Sequence, residues 1–349
     1  MKHILITGGA GFIGSNFIRY VLRKYSDYKI INLDKLTYAG NLENLRDIEN
    51  HPHYTFVRGD ICDVELVEHL MSDAEAVVHF AAETHVDRSI MSAGSFITTD
   101  VYGTFVLLEA ARKYPVERFI QISTDEVYGT AMSPEGVSRP SLETDALMPL
   151  SPYAASKSGA DRLAFSYWAT HKVPVIITRC SNNYGPYQYP EKLIPLFVTN
   201  ALDNIPLPVY GDGHNTRDWI HVEEHCTAID ILLHSNGYDG AVFNIGRGEE
   251  YSVLQITESI LSILDKPKSL IQFVKDRPGH VPRHAVDTTR FRRTFQWSPS
   301  ANFARMMEQT VRWYIEHEPW WRRIKEQDAG YKHYYQSQYE KRFDEKVSL

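Results

Sequence analysis

Two groups of residues have the types and spacing for proton chemistry. The first is Thr124-Asp125-Glu126, a hydroxyl followed by two adjacent carboxylates, at the end of the apolar run Ile120-Gln121-Ile122-Ser123. The second is Tyr153 and Lys157, which follow Ser151-Pro152 and stand one turn apart on the same face of a helix. Two free carboxyls with ordinary pKa values of roughly 3.9 and 4.3 are both ionised at neutral pH. Burial and mutual repulsion can hold one of them protonated, leaving an acid beside a base. A tyrosine, ordinarily near ~10, becomes a usable base only beside positive charge. Each group also has a plainer reading, as loop acids after a strand and as an exposed helix pair. The surrounding elements decide between these readings.

The chain opens with a short apolar strand, His3 to Thr7, then Gly8-Gly9-Ala10-Gly11-Phe12-Ile13-Gly14 and an apolar helical run to Tyr25. Glycines at this spacing permit a tight turn, close approach of backbone to a pyrophosphate, and close packing of helix on strand. The helix N-terminus then meets the phosphates with free N–H groups. The next strand, Lys29 to Leu33, ends in Asp34, where a carboxylate holds ribose hydroxyls and repels a 2′-phosphate. NAD is therefore expected over NADP, with Lys35 softening the repulsion. Strands at Tyr54 to Val57, Ala76 to Phe80 and Val173 to Thr178 alternate with helices at Asp63 to Met71 and Ser89 to Lys113. This predicts an α/β fold, a doubly wound parallel sheet of Rossmann type, with the carboxylates at a strand's carboxyl end where ligands collect.

From Arg179 the alternation loosens into segments rich in Asn, Pro and Tyr. A dinucleotide-binding domain is expected over 1–178, and a smaller α/β substrate domain over 179–330, some segments of which return to the first. A polar tail is expected over 331–349, wrapping the domain or a neighbouring subunit. Thr130 to Leu150 reads as a loop over the site, and Glu308 to His317 as an amphipathic packing helix. Arg290, Arg292 and Arg293 read as a solvated helix face. A net charge of −7 argues against nucleic acid and anionic membrane surfaces, and no apolar run is long enough to span a bilayer. Cys62, Cys180 and Cys226 lack CxxC spacing, which fits reduced thiols in the cytoplasm and no zinc site. His280 and His284 have no supporting acid or cysteine cluster, so no metal is expected.

Thr7 to Gly14, together with Tyr153-x-x-x-Lys157, resembles the extended short-chain dehydrogenase/reductases acting on nucleotide sugars. Ser123-Thr124-Asp125-Glu126-Val127-Tyr128-Gly129 looks like the dTDP-glucose 4,6-dehydratase family within that group. The likeness extends through Ala81 to Ser89, Cys180 to Pro186, Pro190 to Pro195 and Arg217-Asp218-Trp219, to about Trp313. It implies oxidation at sugar C4 by bound NAD, with Tyr153 taking the hydroxyl proton, Lys157 beside it and Thr124 holding the oxygen. Glu126 then removes the C5 proton, Asp125 protonates the departing C6 hydroxyl, and hydride returns to C6. The resemblance also implies NAD contacts at Gly8, Gly11, Phe12, Ile13, Gly14, Asp34, Lys35 and Thr37. Further NAD contacts follow at Asp60, Ile61, Ala81, Ala82, Thr84, Thr99, Tyr153, Lys157 and Asn183. Thr84 and Thr124 would meet the substrate, and Asn182 and Arg217 its diphosphate, with Arg277 and His280 nearby. Lys192, Leu193, Pro208 and Tyr210 would wall the base, and Asn244 would add a nucleotide contact. A homodimer through the helices of 89–113 and 153–171 is implied as well.

The chain departs from the family pattern in a few places. His280-Val281-Pro282-Arg283-His284 replaces a common H-D-R-R-Y, Thr84 stands for serine, and Ile205 stands for a lysine. These positions bear on the nucleotide, so a UDP-glucose 4,6-dehydratase is an alternative. A UDP-sugar 4-epimerase or decarboxylase on the same scaffold is a second, and a catalytically silent dinucleotide-binding regulator a third.

Overall fold

The computed structural model describes residues 2–133 and 135–340. The first strands are β1 (His3–Thr7), β2 (Lys29–Asp34), β3 (Tyr54–Arg58), β4 (Ala76–His79), β5 (Arg118–Thr124) and β6 (Val175–Cys180). Then come β7 (Asn182–Tyr184), β8 (Leu207–Tyr210), β9 (Thr216–His221), β10 (Val242–Ile245), β11 (Glu250–Ser252), β12 (Ile271–Val274) and β13 (Arg283–His284). One parallel sheet runs β10-β6-β5-β4-β1-β2-β3. Chain order reverses between β1 and β4, which opens a crevice at the carboxyl ends of the strands.

Every residue of β4, β5 and β6 is buried, because helices cover both faces of the sheet. On one face, Phe17, Ile18, Val21 and Leu22 of helix Phe12–Lys24 pack with Ile229 and Leu232 of helix Val222–Leu233. On the other lie Val67 and Leu70 of helix Val64–Met71, Leu107 and Ala111 of helix Thr104–Lys113, and Ala164 of helix Pro152–His171. Local signals set the helix starts. Asp63 accepts from Leu66 N–H at 3.1 Å, and Ser151 from Ala154 N–H at 3.1 Å with Pro152 in the first turn.

The expected boundary at 178 would cut β6, which runs to Cys180. The chain also returns to the parallel sheet through β10, helix Val222–Leu233 and helix Thr289–Phe295, whose Phe291 packs on Phe243. Arg290 and Arg293 are exposed, as a solvated helix face requires, and Arg292 is half-buried. Arg290 lies over the Phe243 ring and donates to the Val242 carbonyl, while Arg292 donates to the carbonyl of Arg247. A smaller α/β unit is built from β7, β9, β11 and β13, the pair β8–β12, and helices Leu193–Leu202, Val253–Ile263 and Phe303–Glu316 over a third core.

The described part of the expected tail packs on the chain's own smaller unit, one of the two placements expected, but as a helix with buried aromatic side chains instead of a polar tail. Ala329–Tyr335 is α-helical and Gln336–Glu340 continues it, with Tyr331, Tyr334 and Tyr339 buried. Aromatic burial offsets the polar composition there. Residues 341–349 lie outside the described residues. Among the described residues, no helix is long and apolar enough to cross a membrane.

Candidate active site

The crevice opens beyond β1, β2, β4, β5 and β6, and its floor is the glycine turn. Gly8 has φ +72°, and a Cβ there would come within 2.5 Å of the Ala81 nitrogen. A Cβ on Gly14 would come within 2.5 Å of the Gly8 carbonyl. Gly11 instead faces open space, with only the Gly8 carbonyl at 3.2 Å, and no side chain caps the helix that starts after it. A pyrophosphate can therefore reach bare backbone and the positive end of the helix.

Asp34 is anchored for its role. Its two carboxylate oxygens accept the N–H groups of Ala10 at 2.9 Å and Leu36 at 2.8 Å, while burial raises its pKa. Lys35 is engaged with Asp60 at 2.6 Å, so its charge is already taken up and offers little offset to a 2′-phosphate. Around this floor the crevice collects Phe12, Ile13, Thr37, Ile61, Ala81, Ala82, Thr84, Thr99 and Asn183, along with Tyr153 and Lys157. These residues fit a dinucleotide.

At the end of β5 the chain turns sharply through Asp125–Tyr128, with Thr124 as its cap. The Thr124 hydroxyl accepts from Glu126 N–H at 3.3 Å and donates to Asp125 Oδ1 at 3.3 Å. Asp125 is only 3% exposed, and its Oδ2 has no hydrogen-bond partner among the described residues. Burial, and then the Glu126 charge, push its carboxyl up to about 8, against the pull of Arg217. The acid beside a base anticipated from the pair of carboxylates is thus available at neutral pH.

A pH dependence follows from the sign of that shift. Asp125 carries its proton below about 8 and loses it as pH rises through that value. The step that uses this proton should therefore slow about tenfold per pH unit above that limb, once the group is mostly ionised. Single-turnover rates of water loss across pH check this; a rate flat through the range would refute the role.

Tyr153 and Lys157 both line the crevice, but their coupling differs from expectation. Lys157 donates to the Ile122 carbonyl at 2.7 Å, and burial lowers its pKa. The Tyr153 hydroxyl is pushed up, first by burial and then by the Glu126 charge, with the Thr124 hydroxyl acting the other way. Two residues that sequence reasoning missed stand behind this pair. Asp100 Oδ2 accepts from Ser156 Oγ at 2.6 Å, and its Oδ1 accepts from the N–H of Glu83 at 2.9 Å. Its charge faces Lys157, while burial lifts its own pKa to about 6. No local motif marks Asp100, because its partners come from distant parts of the chain.

The expected substrate residues do not all gather in one place. Thr84, Thr124, Asn182 and Lys192 line the crevice, Lys192 donating to the Thr84 carbonyl at 2.7 Å. Arg217 lies beside Asp125 and Glu126 electrostatically, but its guanidinium donates to the carbonyls of Val281 at 2.9 Å and Thr216 at 2.7 Å. Tyr210, Arg277 and His280 gather further out, around Asp87. Leu193 packs against the third core and Pro208 is buried in β8, so neither lines the crevice. Asn244 is corrected outright. It is fully buried, accepts from Tyr128 Oη at 2.8 Å, and donates to the carbonyls of Ser141 and Asp287. Its amide supports the turn that carries the carboxylates and does not reach a nucleotide.

Comparison with known proteins adds to this geometry. A family model described as GDP-mannose 4,6 dehydratase matches residues 5–310. A dTDP-glucose 4,6-dehydratase from Streptomyces niveus is 50% identical over 331 residues, 94% of this chain and 97% of its own. The crystal structure of dTDP-glucose 4,6-dehydratase from Bacillus anthracis in complex with NAD matches with a TM-score of 0.86 at 48% identity, over 93% of this chain and 100% of that one. That of the Streptomyces venezuelae dTDP-glucose 4,6-dehydratase, also with NAD bound, matches at 0.89 and 46% identity, over 93% and 100%.

Proposed function

The chain belongs to the GDP-mannose 4,6 dehydratase family, and from that membership and the crevice geometry we propose that it is an NAD-dependent dTDP-glucose 4,6-dehydratase. The observation that carries this reading is Asp125, a buried carboxyl held protonated beside Glu126 and next to Thr124. NAD, when bound, supplies a reversible store for hydride. Thr124 holds the sugar O4 while Tyr153 takes its proton. The resulting 4-ketone acidifies C5, from which Glu126 removes the proton. Asp125 gives its proton to the C6 oxygen, which leaves as water; with hydride returned from that store to C6 and a proton returned to C5, C6 ends as a methyl group.

Deuterium placed at C4 of dTDP-glucose tests the sequence of steps. It should appear at C6 of a product lighter by one water. Label still at C4 would refute the proposal and favour a 4-epimerase.

Two copies of the chain pair in this reading. Ile90, Met91, Ile97, Tyr102 and Phe105 are exposed apolar side chains on the helical stretch 86–113, which supports an interface there. Sedimentation as a monomer at micromolar concentration would contradict it. The three free thiols support a cytoplasmic site of action, which cell fractionation checks.

A further inference from the structure

Arg179 stands in β6, in register with Ser123 of β5 on one side and Asn244 of β10 on the other. Only 1% of the residue is exposed. Its guanidinium holds Asp161 of helix Pro152–His171, with Nε donating to one carboxylate oxygen at 2.8 Å and Nη2 to the other at 3.0 Å. In the other direction, Nη1 donates to Tyr128 Oη at 2.7 Å. That hydroxyl donates onward to Asn244 Oδ1 at 2.8 Å. A planar guanidinium fork holds partners in two directions at once, which an ammonium on a flexible stem does not.

Both ends of this buried network carry reacting groups. Tyr153, Lys157 and Asp161 are spaced by four residues, so they lie along one face of their helix. Lys157 pins that face to β5 through the Ile122 carbonyl, and Asp161 pins it to β6 through Arg179. Tyr128 closes the turn Asp125–Tyr128, two residues after Glu126. None of Arg179, Asp161, Tyr128 and Asn244 lines the crevice, so these residues act on the reaction through position. A buried charge with two separately held partners fixes their spacing, because moving either one leaves polar groups unpaired.

We infer that Arg179 is a positioning residue for the elimination step, fixing the turn of Asp125 and Glu126 against the helix of Tyr153 and Lys157, with Tyr128 Oη as the joint. Under the dehydratase reading, on which this rests, one bound sugar must meet both pairs in succession. A misplacement of about 1 Å between reacting groups costs on the order of 10²-fold in rate. Oxidation uses the helix, the end of β5 and the cofactor, so slack in the joint falls on elimination.

Tyr128→Phe tests the joint, since it removes the hydroxyl and keeps the ring that lies 4.9 Å from the Arg179 guanidinium. With the full chain and dTDP-glucose, kcat should fall about ten- to hundredfold, with KM and bound NAD unchanged. Reduced nicotinamide should build up during turnover, and C5 hydrogen exchange with D2O should slow along with product formation. Arg179→Lys keeps the charge, loses the fork and should give the same pattern. The double variant should be no slower than the worse single one, because both changes break one lock. Oxidation and elimination falling together, an unchanged partition between them, or losses that multiply in the double variant each overturn the inference. Tyr128→Phe decides alone where Arg179→Lys does not fold. In a second arm without sugar, Tyr128→Phe should speed amide hydrogen exchange in the peptide spanning 122–131 and leave that spanning 3–22 unchanged. Equal exchange in variant and wild type overturns the joint. A wild type that fails to convert dTDP-glucose would sink the dehydratase reading, and the exchange arm would still decide whether the joint holds the turn.

Discussion

Asp125→Asn should abolish water loss while leaving C4 oxidation in place. Asparagine keeps the shape and the oxygen that meets the Thr124 hydroxyl at 3.3 Å, so the turn over Asp125–Tyr128 should survive. What it lacks is a proton to give. The native carboxyl holds that proton because burial and the Glu126 charge raise it to about 8. A positioned acid is worth about 10²–10⁴-fold, so product formation should fall by that factor. The absorbance of reduced nicotinamide should rise on adding dTDP-glucose and stay high. Exchange of the C5 hydrogen with D2O should continue, because Glu126 and the 4-ketone are both still present. Parallel loss of oxidation and water loss would mean that the turn had collapsed and that Asp125 has no separate role.

Tyr153→Phe should give the opposite pattern. Without the hydroxyl, the O4 proton has no acceptor, and C4 oxidation should fall about 10²–10⁴-fold. No absorbance of reduced nicotinamide should develop, and C5 exchange should vanish with the ketone that drives it. NAD should still bind, since its crevice is built mostly from backbone and from Asp34. The protein alone pushes the Tyr153 hydroxyl upward, through burial and the Glu126 charge, and the Lys157 ammonium is spent on the Ile122 carbonyl. Proton loss from Tyr153 therefore depends on positive charge arriving with the oxidised cofactor. Near-normal oxidation in Tyr153→Phe would assign the base elsewhere. Opposite failures in the two variants would separate the oxidising pair from the eliminating pair.

How much of this could be read from residues alone differs sharply along the chain. The glycine turn, Asp34, Thr124-Asp125-Glu126 and Tyr153-x-x-x-Lys157 are local patterns. Each is a strand end, a turn or one helix face, where spacing along the chain sets position in space. The cofactor set that the resemblance implies lines one crevice together with them. The raised Asp125 pKa was foreseeable too, since adjacent carboxyls at a buried strand end have few other outcomes.

Other features depend on residues far apart in sequence. Arg277 meets Asp87 and Tyr334 meets the same carboxylate only through the docking of the smaller unit and the C-terminal helix. Asn244 lies in β10, which the chain threads back beside β6, and there Tyr128, Ser141 and Asp287 take up its amide. Asp100 faces Lys157 across two helices, and Arg217 acts on the carboxylates from β9 through its charge alone. No periodicity records such pairings, because they are set by how separate elements pack and by which buried polar group finds which partner. The residue types thus specify the reaction, through short-range geometry that the backbone enforces. The packing of the outer parts is a product of long-range contacts, and it is there that an aromatic helix with a polar-looking sequence is drawn onto the third core.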